Sequence, residues 1–261
     1  MAGERGSLSS QFVEQPADFK REPPLWAELF RAPLEYYALR LSPIFIGCGV
    51  PRGDGKHIFV LPGMAGSDSY LFTLRDWLNR MGYRAHRSGI GINDGDILAK
   101  TSQVIESIER VAESTGKPVT IIGHSLGGVE GLHIAHLRPD LVETLVTLGS
   151  PIHGDPRAAV HPRVAEYGQR HLTISPELIE EYRRITTIYS LHPQVDFYNV
   201  YSKTDGVLDW HATVHPQASR LEIHGSHSGM ATNWETYQHL GQILAGRRKQ
   251  PQNGASLPLA S

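Results

Sequence analysis

Ser125 stands in the run Gly123-His124-Ser125-Leu126-Gly127, a G-x-S-x-G pattern that can present a hydroxyl nucleophile to a carbonyl carbon. The pattern alone says little, since a random chain with 26 glycines would carry it about 0.2 times. Its flanks carry the argument. Val119, Ile121 and Ile122 precede it as a buried strand, and Leu126, Val129, Leu132 and Leu137 follow it near helical spacing. A sharp strand-to-helix turn would thrust the Ser125 hydroxyl outward, with Gly123 and Gly127 leaving room for strand and helix to approach. The helix N-terminus behind it favours developing negative charge.

Acyl chemistry needs donors for the oxyanion that forms on attack. The backbone N–H of Leu126, next after the nucleophile, is the first candidate. The run HIFVLPGMAGSD supplies a second, because its glycine-containing turn can bring the Met64 N–H to the end of a neighbouring strand. The serine also needs a base, and the base a carboxylate to fix its tautomer. Behind such an elbow the acid and then the base follow along the chain, each after a later strand. Asp196 precedes the strand FYNVYS and would lie some 20 Å from the site at about 3.3 Å per residue, which excludes it. Asp205 follows that strand in a turn with Gly206 and is the first choice, with Asp209 the runner-up. His227 lies in the loop beyond the strand RLEIHG and is the chosen base; His211 and His215 precede that strand, and His224 ends it. His153, His161 and His171 read as solvated or capping residues. The scattering of the histidines does not have zinc-site spacing, so no metal and no cofactor are expected.

The elements that must position these residues alternate between short β-branched runs and longer amphipathic ones. Strands are expected over 57–63, 118–123, 141–149, 197–202 and 220–225, with a short one over 83–89. Helices are expected over 69–82, 95–116, 126–137 and 235–244. Such alternation implies an α/β fold, a mostly parallel sheet covered by helices on both faces. Ahead of it, 24–41 is helical, with Pro33 suited to the first turn of a second short helix. About 45 residues from Ile152 to Val195, where one crossover helix would suffice, predict a small cap insertion at 152–195. Residues 1–23 and 246–261 are polar and expected to be disordered, leaving 24–245 as one domain.

With VLPGMAGSD, IIGHSLGG, TLGSPIHG, YSKTDGV and GSHSGM in this order, the chain resembles the α/β-hydrolase superfamily, in particular its lipase-like and esterase-like members. The resemblance spans most of 57–245. It implies that Ser125, Asp205 and His227 form a catalytic triad and that Met64 and Leu126 supply the oxyanion donors. A serine nucleophile sets the chain apart from the haloalkane dehalogenases and epoxide hydrolases of that superfamily, which use an aspartate. Two features depart from the pattern: the usual two leading strands are missing, and the oxyanion loop reads Pro62-Gly63-Met64 rather than His-Gly.

The net charge of -2 gives no reason to expect nucleic acid or an acidic membrane, and 40% hydrophobic residues suit a water-soluble domain. The N-terminus lacks an apolar signal core, so a cytoplasmic address is expected. Cys48 is the one cysteine and excludes an internal disulfide. It ends an apolar run, LSPIFIG, but Glu35 and Arg40 interrupt what a lipidation signal would need, so that run is expected to pack beneath the domain. These readings converge on a serine carboxylic ester hydrolase acting on a small or medium ester through an acyl-enzyme. The polar cap favours a dissolved substrate, although Ile174 and Leu178 are apolar positions for an acyl chain. An acyltransferase or thioesterase using the same acyl-enzyme is the alternative, and a non-catalytic binder a third reading.

Overall fold

Side chains of the strands sort by parity onto the two faces of one sheet. The computed structural model describes residues 24–155, 159–171, 175–188 and 190–246. Six strands, β1 (His57–Leu61), β2 (Arg84–Arg87), β3 (Val119–His124), β4 (Val142–Leu148), β5 (Asp196–Tyr201) and β6 (Ser219–Glu222), lie in the order β2-β1-β3-β4-β5-β6. Every neighbouring pair is parallel. Ile58, Val60, Ile122, Val146, Leu148, Tyr198 and Val200 face one apolar core. Phe59, Leu61, Val119, Ile121, Leu145 and Phe197 face the other, as successive Cβ atoms leave opposite sides of a pleated strand.

Helices close both cores. On the first face lie α1 (Glu28–Leu41), α2 (Phe72–Arg80) and α7 (Trp234–Leu244), through Leu39, Leu74, Trp77, Tyr237 and Leu240. Trp77 is fully buried, its ring centroid 4.7 Å from that of Tyr237, and its indole N–H donates to the Ile44 carbonyl at 3.1 Å. On the second face lie α3 (Ile97–Thr115) and α4 (Leu126–Leu137), through Ile97, Val104, Ile108, Val129 and Leu132. The local signals of α3 are in place: the Asp96 carboxylate accepts the Ala99 N–H at its start, and Gly116 ends it at φ 66°.

The expected strands and core helices are present to within a few residues. Pro33 is a correction. It does not open a second helix but sits inside the continuous α1. Its missing N–H forfeits one bond to Leu29, whose side chain is 76% exposed, so water can satisfy the freed carbonyl. The outward side of α1 presents Phe30, Leu34, Tyr37 and Leu41, and the turn before it Trp26, all exposed. In the following apolar run Phe45 is buried in the first core, whereas Ile46 and Cys48 are exposed. No strand precedes β1 among the described residues, and α1 occupies the chain before it.

Between β4 and β5 the described residues include α5 (Pro162–His171) and α6 (Pro176–Ile188). The buried Ile185 joins α6 to the second core, and the Tyr182 hydroxyl donates to the Pro151 carbonyl at 3.3 Å. The chain entering α5 pairs with the loop after β5, where Asp209 N–H donates to Ala159 O and His161 N–H to Val207 O, both at 2.8 Å. Leu178 is half-buried; Ile174, residues 1–23 and residues 247–261 lie outside the described residues.

Candidate active site

Because every strand runs the same way, the loops that follow them gather at one edge of the sheet. Ser125 is the hinge between β3 and α4, at φ 51° and ψ −123°. Among the described residues only Ala65 shares a positive φ without being glycine, and it lies in the loop after β1. Such geometry costs about 1–3 kcal/mol and persists where the surroundings impose it. They do so here. A Cβ on Gly123 would meet the Gly127 carbonyl carbon at 2.5 Å, and one on Gly127 would meet the Pro62 oxygen at 2.7 Å. A Cβ on Gly63 would meet the Ser125 Cβ at 2.8 Å, so the loop after β1 lies against the elbow.

His227 and Asp205 reach the same point from the loops after β6 and β5. His227 Nε2 lies 3.0 Å from Ser125 Oγ, and its Nδ1 lies 2.7 Å from Asp205 Oδ2. The other Asp205 oxygen accepts the Val207 and Leu208 N–H groups, each at 2.8 Å, which fixes the carboxylate plane. A carboxylate accepts, so Nδ1 carries the proton and Nε2 is left to accept from the serine. Burial alone would lower the His227 pKa; the Asp205 charge and hydrogen bond, with Glu28, outweigh it and raise the imidazole above its ordinary value. His124, packed 5.1 Å away ring to ring, is pushed down to about 4 by burial first and then by His227. It is neutral at pH 7 and donates from Nε2 to the His227 carbonyl at 3.0 Å.

The loop after β1 is laced to Asn93. The Asn93 side-chain amide donates to the Pro62 carbonyl at 2.9 Å, the Asn93 backbone carbonyl accepts the Ala65 N–H at 2.7 Å, and the Asn93 backbone N–H donates to Gly66 O at 2.8 Å. Neither Met64 N–H nor Leu126 N–H donates to a protein acceptor among the described residues. Leu126 opens α4 directly after Ser125, so its amide lies at a helix N-terminus, a setting that suits an anionic oxygen.

Asn93 is held in turn by Glu130, which is fully buried on α4 and accepts from Asn93 Nδ2 at 2.8 Å. Burial first, opposed in part by Asn93 and Lys100, raises the Glu130 carboxyl to about 8. An acid whose folded pKa stands above its unfolded value keeps a proton that the unfolded chain releases. Its burial therefore costs progressively more stability as pH rises from 4.5 to about 8. Glu130→Gln keeps an oxygen for Asn93 and has no proton to lose. It is expected to be more stable than wild type by about 2 kcal/mol at pH 8, with the gap closing toward pH 5. Thermal unfolding at the two pH values measures this, and a gap that does not depend on pH would contradict it.

The remaining sequence candidates lie elsewhere. Asp209 accepts from His211 Nδ1 at 2.8 Å in an exposed pair, and Asp196 starts β5 at the far edge. His215 packs on Phe197 and His153. His224 lies just past the end of β6, exposed beside Glu235. The His161 ring accepts the Arg163 N–H, and the His171 side chain lies outside the described residues. A hollow of about 520 Å³ opens at the amino ends of β1, β3 and β4, lined by Asp54, Lys56, His57 and Glu143, at the opposite edge from Ser125. Among the described residues no group of three His, Cys, Asp or Glu side chains could hold a metal, and no helix is long and apolar enough to cross a membrane. Asn93, Glu130 and Glu28 are not marked by any motif; the spacing of Glu28, Arg31 and Glu35 on one face of a helix whose one other charge is Arg40 is the one signal that points to α1.

Residues 90–215 match the family model described as PGAP1-like alpha/beta domain. A triacylglycerol lipase of Burkholderia plantarii is 30% identical over 123 residues, which is 43% of this chain and 34% of the lipase. One of Pseudarthrobacter phenanthrenivorans is 30% identical over 107 residues, 37% of this chain and 33% of that protein. The matched stretch thus spans about a third of either lipase. The crystal structure of Bacillus licheniformis lipase BlEst2 in its mature form superposes with a TM-score of 0.55 at 17% identity, covering 74% of this chain and 94% of that one. The fold is therefore that of the α/β hydrolases.

Proposed function

We propose that this chain, an α/β hydrolase of lipase- and esterase-like type, is a serine carboxylic ester hydrolase. The observation that carries the reading is the hydrogen-bonded path from Ser125 Oγ through His227 to Asp205, at the edge where the loop after β1 lies against the elbow. Ser125 Oγ attacks the ester carbonyl carbon while its proton passes to His227 Nε2. The oxyanion is held by the Met64 and Leu126 N–H groups, and Asp205 stabilises the imidazolium. Collapse of the tetrahedral adduct breaks the bond to the leaving alkoxide, which takes the proton from His227. Water, deprotonated by the same imidazole, then releases the acid and restores the Ser125 hydroxyl. The similarity to triacylglycerol lipases supports an ester as substrate. The charged α6, with its Arg183–Glu180 and Arg184–Glu181 pairs, supports a dissolved ester of small or medium size. Hydrolysis of short p-nitrophenyl esters by the wild type, lost in Ser125→Ala, is the test.

The same path sets a pH dependence. Only neutral His227 can accept the Ser125 proton, and its pKa lies above the ordinary 6.5. Activity is therefore expected to fall as pH drops through that raised value, with the acidic limb of kcat/KM above 6.5 and a slope of one proton. A profile flat from pH 5 to 8 would remove His227 from the role of base.

A further inference from the structure

The acid-bearing and base-bearing turns share a partner from the far end of the chain. Glu28, 6% exposed at the start of α1, accepts the Gly206 N–H at 2.9 Å and the His227 N–H at 3.1 Å on Oε1. Its Oε2 accepts the Ser228 N–H at 3.1 Å. One turn on, Arg31 donates to the Thr204 carbonyl at 2.6 Å and to its hydroxyl at 2.8 Å. Two turns on, Glu35 accepts the Ser226 N–H at 2.7 Å. Positions 28, 31 and 35 share one helix face, so a single rigid element grips Thr204 and Gly206 on either side of Asp205, and Ser226, His227 and Ser228.

We propose that Glu28 is a positioning residue whose carboxylate fixes the Asp205 and His227 turns to each other and adds a second negative charge beside the imidazole. This rests on the ester-hydrolase reading above. Past the Tyr201–Glu222 pair the two turns are tied near their roots, by Ile223 N–H to Tyr201 O and by the Ser202 and Thr204 hydroxyls to the Gly225 carbonyl, short of Gly206 and of the His227 backbone. A carboxylate that takes the N–H of His227 itself and of the residue after Asp205 sets their spacing there, through charge-assisted bonds in a buried place. Glu28 faces Asp205, His227 and Tyr70, whose hydroxyl donates to Ser228 O at 2.5 Å; Arg31 and Glu35 flank it on α1, and His124 faces the other side of His227. Of the charges acting on His227, Glu28 is the one besides Asp205 that favours the imidazolium.

Glu28→Gln removes the charge and one of the two acceptor oxygens. Active sites are counted with a fluorophosphonate, so that kcat refers to competent protein. The expected result is a kcat per site lower by roughly 10- to 100-fold with KM within about threefold, and an acidic limb moved to lower pH. A kcat and a limb equal to wild type overturn the proposal. Should Glu28→Gln fail to fold, Glu28→Asp carries the test: it keeps the charge one methylene short, so kcat is expected to fall while the limb stays, and wild-type kcat overturns the proposal. Titration of the His227 ring by NMR needs no substrate. A lower His227 pKa in Glu28→Gln supports the proposal and an unchanged one overturns it, even where wild type hydrolyses no ester and the parent reading fails.

Discussion

Ser125→Ala is expected to lower kcat on a short p-nitrophenyl ester by about 10⁵- to 10⁶-fold, because in the proposed mechanism it removes the atom that forms the acyl bond. The fold offers the variant no escape. The Ser125 hydroxyl bonds only to His227 among the described residues, and alanine carries the same Cβ through the same φ of 51°. Thermal stability should therefore stay within about 1 kcal/mol of wild type. The residues on the path act as a unit, so Ser125→Ala combined with His227→Ala should be hardly slower than either alone. A fluorophosphonate should label wild type once per chain and the variant not at all. Ester hydrolysis that survives Ser125→Ala, with the variant folded, would end the serine-hydrolase reading.

How the three residues come to share an edge was legible because the strands could be read one at a time. An all-parallel sheet sends every following loop the same way, so a residue placed after its strand is placed on the site's edge. That is why Asp196 and Asp205, nine positions apart, fall at opposite ends of β5. What sequence did not reveal depends on partners that have no local trace. Glu28 reads as an ordinary first-turn carboxylate, yet its hydrogen bonds reach 178 to 200 positions away. Glu130 lies on a helix that is buried nearly all round, and local pattern does not distinguish a buried acid from a solvated one. Pro33 departs from its local signal for the converse reason: the signal for a helix start is local, while the bonds that carry α1 through it come from the loops after β5 and β6.

The proposed oxyanion donors allow a test that separates backbone from side chain. Met64→Pro deletes one N–H and is expected to lower kcat by about 10²- to 10³-fold with little change in KM, the loss typical of one donor that acts only in the transition state. Met64→Leu keeps the N–H, and since Met64 packs on the second core a near-isosteric swap should leave kcat within about threefold. The corresponding change at Leu126 is less clean. Proline suits the first helical position, but it forces its predecessor toward extended backbone, and Ser125 must hold φ 51° and ψ −123°. Met64 follows Gly63, which tolerates that restriction, and its neighbours are pinned independently by Asn93 at Pro62, Ala65 and Gly66. The loop therefore has reason to keep its path while one donor goes. Equal losses in Met64→Pro and Met64→Leu would mean that the side chain, not the amide, matters here, and the second donor would have to be sought elsewhere along the loop.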